Sequence, residues 1–553
     1  MPDFASRSAA WRTGPRIKIP LDGACRSLAL SPANVVLALV LVGLVLRIAR
    51  YASNPSLWLD EAFLALNLRD RDLSGILGTL DFNQAAPPLY LLAEKSSVLA
   101  FGDSEYALRA FPLLAGIIAL GLFPIVARRF LGRWPAVLAV GLFAVLEPLI
   151  YVSAQVKQYS SDVAIAVVLL YAVSRIPTSR SIRLREAVLL GLVGAVALWF
   201  SYPAIFYVAG FGLVLFGARI ARRQWRSLGM LAGSAALCTA SVVPLLLYSL
   251  DRVRGVQTGL RASPTAYAPV SGSGADLEWF VHAPGRLLGD SAGLDSHQLA
   301  ALVVLVGFVS LLRRAPELAL LLGSPLLIAV VASALDKYPF GGRFSIFYVP
   351  ALLCLVAEGV GALAIFTKSA ARRFRIRQMG PVMAGGVSLA LVAAIGLFPS
   401  RNAITHLVSP SGREETKALI ETMQHGWRKG DAVYVFYAAQ YAFRYYAECR
   451  ACGVADRTGS ARELWMRVRP MQGREWFAPA LESRPPKLVV GQLRDDPVAQ
   501  LDRLRGQPRV WALFSHYSGR VRIILSRLDA LGTRVSKLET TGATLYLYDL
   551  RDP

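Results

Sequence analysis

Directly after the first long apolar run stands Ser56-Leu57-Trp58-Leu59-Asp60-Glu61-Ala62-Phe63. An ionised Asp can take the proton of a hydroxyl, and neighbouring acids can hold a divalent cation. Adjacent positions on a helix lie roughly 100° apart, so Asp60 and Glu61 need not share a task. The competing reading is structural: Asp60 caps a helix over 61–68, and Glu61 suits its first turn and dipole. A second stretch reads Gln155-Val156-Lys157-Gln158-Tyr159-Ser160-Ser161-Asp162. Lys157, Tyr159 and Asp162 can coordinate a phosphate or a metal at a bilayer surface, or simply be solvated loop residues. A third reads Lys337-Tyr338-Pro339-Phe340-Gly341-Gly342-Arg343-Phe344. Arg343 beside two glycines has room to grip an anion with two N–H groups, or to snorkel to lipid headgroups. The five histidines (282, 297, 406, 425 and 516) form no H-x-H or H-E-x-x-H. There is no G-x-S-x-G elbow, G-x-G-x-x-G or P-loop.

Those residues must be held by something, and the composition says what. The chain has 553 residues, 54% hydrophobic and only 18% charged, against roughly 25% charged in soluble domains. Five cysteines cannot staple a chain of this length, so a disulfide scaffold is excluded along with disorder and collagen. A bilayer core of about 30 Å takes roughly 20 apolar residues as a helix. Eleven candidate spans follow: 31–49, 108–127, 135–153, 161–175, 186–201, 203–218, 228–248, 299–312, 316–334, 344–366 and 380–398.

The net charge of +23 does not call for nucleic acid. Its arginines cluster in alternate connections, around 128–133, 175–185, 219–226, 313–314 and 372–377, and in the arm over 1–30. The positive-inside rule puts these in the cytoplasm with the N-terminus. The connections 51–107, 249–298 and 335–343, and the tail 399–553, then face outward. The segment 51–107 carries eight acids against three bases, Arg69, Arg71 and Lys95. The first span reads as an uncleaved signal anchor, since its basic arm is long and no small-residue cleavage site follows. Glu147 and Glu358 are the main acids within spans.

Three outer pieces remain. Pro87 and Pro88 can open a helix, whose first turn needs no amide donors, and its short apolar length suits an interfacial position. The connection 249–298, rich in Gly, Ser, Pro and Ala, reads as a lid or as a plain connector. From about Pro399 the pattern alternates: helical over 411–428, 438–447 and 519–531, strand-like over 432–437, 487–490, 510–514 and 544–548. This is a small α/β domain. Cys449 and Cys452 within it form a C-x-x-C that reads as a local disulfide, two free thiols or a redox pair.

Taken in order, these pieces resemble the GT-C superfamily of membrane glycosyltransferases, and most of all bacterial members of glycosyltransferase family 39. That group is similar to protein O-mannosyltransferases and to the aminoarabinose transferases of lipid A. The carriers are Leu57-Trp58-Leu59-Asp60-Glu61-Ala62, Pro87-Pro88-Leu89-Tyr90-Leu91-Leu92, Ser104-Glu105-Tyr106-Ala107-Leu108-Arg109-Ala110-Phe111-Pro112, Lys157-Gln158-Tyr159-Ser160-Ser161-Asp162 and Gly341-Gly342-Arg343-Phe344. The resemblance covers about the first 370 residues.

The resemblance implies a polytopic α-helical protein of the bacterial inner membrane: a cytoplasmic arm over 1–30, a membrane domain over 31–398 and an exported α/β domain over 399–553. It implies transfer of a sugar from a polyprenyl-phosphate donor to a hydroxyl of a lipid, glycan or protein acceptor on the outer face, with inversion. On that pattern Asp60 is the general base, and Glu61 orients it or shares a divalent cation with it. Lys157, Tyr159 and Arg343 bind the donor phosphate, and Asp162 positions donor or metal. Pro87, Pro88, Tyr90, Glu105 and Arg109 shape the loop. One departure stands out. Some relatives carry Glu-Lys or Asp-His before the Pro-Pro pair, where this chain has Ala85-Ala86, with only Gln84 and Asp81 nearby. The alternatives are a flippase for lipid-linked sugars and a non-catalytic envelope assembly factor.

Overall fold

A computed structural model of the chain describes residues 31–551 apart from 177–179, 261–265, 271, 273, 295, 374–378, 409–411, 456–460, 474, 476, 486, 494–495 and 497. The basic arm, Cys25 and part of the 249–298 connection therefore lie outside the described residues. In chain order the membrane half comprises α1 (Pro32–Ala52), α2 (Leu59–Asp70), α3 (Pro88–Phe101), α4 (Glu105–Phe130), α5 (Arg133–Val145), α6 (Glu147–Val152), α7 (Tyr159–Ser174) and α8 (Leu184–Phe200). It continues through α9 (Ala204–Ala221), α10 (Trp225–Leu260), α11 (Gly274–Gly285), α12 (His297–Arg314), α13 (Pro316–Ala334), α14 (Val349–Arg373) and α15 (Gly380–Val408).

Every expected span coincides with a helix. Among the described residues eight helices (α1, α4, α9, α10, α12, α13, α14 and α15) are long and apolar enough to cross a bilayer. The other three expected spans are shorter. The stretch 135–153 divides at Leu146, whose extended backbone separates the 13-residue α5 from α6 just before Pro148, a residue that cannot donate to a helix. The helices α7 and α8 have 16 and 17 residues. Lipid gives helices no hydrophobic reason to associate, so small residues that allow close approach do the work. Between α12 and α14 a Cβ on Gly359 would lie 2.0 Å from the Val303 carbonyl oxygen, and one on Gly307 2.1 Å from that of Leu355. Glu358 is an inter-helix strut, taking Arg314 at 2.6 Å and Ser310 at 2.9 Å.

The C-terminal part adds α16 (Thr416–Gly426), β1 (Ala432–Val435), α17 (Gln440–Glu448), α18 (Arg462–Arg467), β2 (Leu488–Val490), β3 (Val510–Ser515), α19 (Gly519–Leu531), β4 (Thr533–Thr540) and β5 (Ala543–Asp549). Its sheet runs β2-β1-β3-β5-β4. The first three strands are parallel, with Val433 beside Leu488 and Trp511, and β5 is antiparallel to both β3 and β4. The strand β4 is absent from the sequence reading. Its Thr-Arg-Val-Ser-Lys-Leu-Glu-Thr is exposed almost throughout, so it carries no alternation to detect.

The segment 51–107 packs against this C-terminal domain. Leu57, Phe63, Leu66, Phe82 and Tyr90 share one apolar core with Leu419, Tyr434, Tyr441, Phe514 and Tyr548. Cys449 and Cys452 form a disulfide. It closes the turn after α17, where Tyr445 donates to the Asp103 carbonyl at 2.6 Å.

Candidate active site

The helix α2 starts earlier than its sequence implies. Trp58, not Asp60, is its N-cap, so Asp60 stands inside the first turn and its carboxylate is free for other partners. The C-terminal domain supplies what the helix end needs. Leu57 N–H donates to the Tyr446 hydroxyl at 2.9 Å and Leu59 N–H to Glu414 at 3.2 Å. Ser56 gives its N–H and hydroxyl to Glu415 at 3.2 and 2.9 Å. At the other end Arg69 pairs with Glu448, and Arg444 pairs with Asp70. The helix is thus held at both ends by residues 350 or more positions away in the chain.

Three of the candidate residues meet. The Arg343 guanidinium pairs directly with Asp60, and the Lys157 ammonium lies 3.7 Å from its other oxygen. Arg343 comes from the 3-10 turn Gly342–Tyr348, and Lys157 from the short connection before α7. Side-chain exposure is 20% for Asp60, 8% for Lys157 and 33% for Arg343, so the cluster is shielded but reachable from the Arg343 side. Lys157 also donates to Gln84 at 2.6 Å. Gln84, two residues before the Ala86-Pro87 junction, therefore reaches the centre of the site that the departure from the family pattern left open.

Aromatic rings wall the cluster. The Arg343 guanidinium lies 5.5 Å from the Trp58 ring centroid, 5.8 Å from that of Tyr159 and 5.4 Å from that of Phe344. Asp162 stands one turn beyond Tyr159 on α7, 4% exposed, with one carboxylate oxygen that has no hydrogen-bond partner among the described residues.

The charges tune one another. Burial alone would raise the Asp60 carboxyl, but Lys157 and Arg343 outweigh it and hold its pKa below the ordinary value. Burial lowers the Lys157 ammonium, and Asp60 opposes that shift. On α3 the fully buried Glu94 accepts a hydrogen bond from Tyr90 at 2.6 Å, and burial pushes its carboxyl well above the usual range.

Glu61 points elsewhere. One oxygen accepts from Val156 N–H at 2.8 Å; the other faces Trp58 N–H and Arg109, both at 3.5 Å. Arg109 also donates to Pro55 O at 2.8 Å and Asn54 at 3.0 Å. Glu61 and Arg109 are thus a buried strut between α2, α4 and the loop that carries Lys157. Asp60 faces Arg343 and Lys157, while Glu61 faces Arg109 and two backbone amides, so the two acids expected to share a divalent cation have different partners here. No group of three His, Cys, Asp or Glu side chains with metal-ligand placement exists among the described residues. Pro87 and Pro88 open α3, as expected. Glu105 accepts from Lys417 at 3.0 Å, another tie to the C-terminal domain.

Four residues near Asp60 have no role in the sequence reading. Trp58 enters it only within the Leu57–Ala62 motif. Arg413, Glu414 and His516 come from the C-terminal domain, where no local pattern marks them. His516 contacts Glu414 at 2.9 Å, and that hydrogen bond raises the imidazole pKa above its ordinary 6.5.

Residues 85–248 match the family model described as dolichyl-phosphate-mannose-protein mannosyltransferase. No curated protein sequence matches the chain. Among solved structures, ArnT from Cupriavidus metallidurans bound to undecaprenyl phosphate is similar at a TM-score of 0.50 and 14% identity, covering 94% of this chain and 98% of that one. AglB, an oligosaccharyltransferase from Archaeoglobus fulgidus in complex with an inhibitory peptide and a dolichol-phosphate, gives a TM-score of 0.45 and 10% identity over 92% of this chain and 74% of that one. The likeness to the ArnT structure gives the chain the fold of the GT-C superfamily of membrane glycosyltransferases.

Proposed function

We propose that the chain transfers a sugar from a polyprenyl-phosphate donor to an acceptor hydroxyl on the outer face of the bacterial inner membrane. The observation that carries this reading is the placement of one carboxylate, Asp60, between Arg343 and Lys157 at a shielded site. The acceptor is a lipid, a glycan or a protein of the envelope. The ArnT structure that the chain resembles holds undecaprenyl phosphate, which supports a lipid phosphate as the donor's carrier.

The chemistry follows from the charges. The acceptor oxygen attacks the anomeric carbon and its proton passes to Asp60 as general base. The bond between that carbon and the phosphate oxygen breaks, and the electron pair leaves on the phosphate. One negative charge thus moves from Asp60 to the departing lipid phosphate. Lys157 and Arg343 sit against Asp60 and can follow that charge, stabilising the leaving group as it forms. Attack opposite the leaving group inverts the anomeric configuration. Tyr159 and Asp162 line the donor side, and Glu61 holds the base's helix.

In this reading the two cations take the part that a metal plays elsewhere, so transfer proceeds in EDTA. The test is transfer of radiolabel from polyprenyl-phosphate sugars by purified protein in nanodiscs, with Asp60→Asn as control. Label moved by wild type and not by Asp60→Asn supports the proposal. Equal transfer by both overturns Asp60 as the base.

A further inference from the structure

Arg413 brings a third cation to the site, and the proposed reaction leaves it nothing to do. Its guanidinium lies 4.6 Å from the Trp58 ring centroid, the same ring that Arg343 approaches at 5.5 Å, and 5.3 Å from that of Tyr151. It contributes to the electrostatic lowering of Asp60. Its backbone is anchored on both sides. Gly412 N–H donates to Glu415 at 2.8 Å, and Glu415 N–H donates to Thr541 O at 2.8 Å. Yet the side chain is exposed, and no carboxylate pairs with it among the described residues.

The charge count makes this surplus informative. Before transfer, Asp60 and a phosphodiester donor carry one negative charge each. Afterwards Asp60 is neutral and the lipid phosphate monoester carries two. Lys157 and Arg343 balance that total at both ends of the reaction. An arginine that is always charged, held at the mouth with no acid to neutralise it, is complementary to one more anion.

We propose that Arg413 binds a second anionic group, a phosphate or carboxylate seated beside the donor phosphate on the exported-domain side of Trp58. This rests on the transferase reading above. Two sources offer that chemistry: a second phosphate on the donor, as in a polyprenyl diphosphate, or an acidic group on the acceptor close to its reacting hydroxyl.

The experiment uses the full chain in nanodiscs, wild type against Arg413→Gln and the charge-keeping Arg413→Lys. Binding of undecaprenyl monophosphate and undecaprenyl diphosphate is measured for each. Transfer is then measured to the anionic and neutral fractions of an envelope extract separated by anion exchange. A charged hydrogen bond removed from a ligand costs roughly tenfold or more in affinity. A loss of that size for the diphosphate alone assigns the group to the donor. Unchanged lipid binding, with a similar rise in apparent KM for the anionic fraction only, assigns it to the acceptor. In either case Arg413→Lys should recover much of the loss, which a packing role would not give. Equal losses for monophosphate and diphosphate, or no change in any arm, would overturn the proposal. If wild type moved no label to any fraction, the transferase reading itself would fail, whatever Arg413 does in the binding arm.

Discussion

The Asp60 carboxylate and the Arg343 guanidinium, 283 positions apart in the chain, form a direct ion pair. Lys157 reaches the same carboxylate from a third segment. Asp60, Arg343 and Lys157 are therefore one electrostatic unit in the resting protein. On the proposed mechanism, a donor phosphate that draws the cations away weakens their hold on Asp60. Donor binding would then raise the basicity of the proposed base.

Arg343→Ala and Lys157→Ala should impair donor use more than acceptor use. The expected cost is about 10²–10³-fold in kcat/KM for the donor, the range seen when one stabilising donor is removed from a charge-developing site. Steady-state kinetics with each substrate varied separately checks this. Equal changes in both apparent affinities would count against a role at the phosphate.

Glu61→Gln should act on stability before chemistry. It leaves the buried Arg109 without its acid, and breaking a buried ion pair typically costs about 3–5 kcal/mol. The expected signature is a lower Tm in detergent with much of kcat preserved in the folded fraction. Asp60→Asn should give the reverse, near-normal Tm and lost turnover. A Glu61→Gln protein of normal Tm and no activity would return Glu61 to the chemistry.

The pH dependence has two parts with opposite signs. The pKa of Asp60 is depressed in the folded protein, so the carboxylate stays ionised as pH falls through the ordinary value of 3.8. Its stabilising contribution is present above that value and lost only as pH drops through the lower folded one. The free enzyme should accordingly show no acid limb in kcat/KM between pH 5 and 7, measured relative to about pH 7. His516 is shifted up, so its tie to Glu414 is complete below 6.5 and is lost as pH rises through the raised value. Hydrogen exchange at Leu59 and its neighbours, corrected for the intrinsic base-catalysed rise with pH, should show reduced protection on that rise, and His516→Ala should abolish that change in protection.

Arg444→Ala should loosen α2 at its C-terminal end, since Arg444 is nearly buried and faces both Asp70 and Glu448. The expected result is faster exchange along α2 and a lower kcat, with donor KM nearly unchanged. Limited proteolysis of the exported half gives an independent reading of the same loosening.

The membrane half was legible because apolar length and arginine clustering are strong, local signals. Each of the eleven expected spans found a helix, although the span 135–153 was read as continuous and the break at Leu146, ahead of Pro148, was not. In the C-terminal domain β1, β3 and β5 could be read because they are buried. The polar β4 could not. Asp60 and Arg343 stood out because each is charged in an apolar or glycine-rich setting, and Lys157 because it shares a polar connection between apolar spans with Tyr159 and Asp162. Their convergence was not readable, since spacing along the chain says nothing about meeting across 283 positions. Glu61 misled for the same reason. Its neighbour in sequence is Asp60, while its partners in space are Arg109 and Val156. Arg413, Glu414 and His516 carry no pattern, and only the packing of the exported half onto α2 brings them to the site.

The most direct measurement is label transfer from a panel of radiolabelled polyprenyl-phosphate sugars, by wild type and by Asp60→Asn, each with and without EDTA. The expected result is transfer from at least one donor by wild type, unaffected by EDTA, and a loss of about 10²–10⁴-fold in Asp60→Asn of normal Tm. Undiminished transfer by Asp60→Asn would contradict the account, and transfer abolished by EDTA would contradict its claim that Lys157 and Arg343 serve the leaving phosphate unaided.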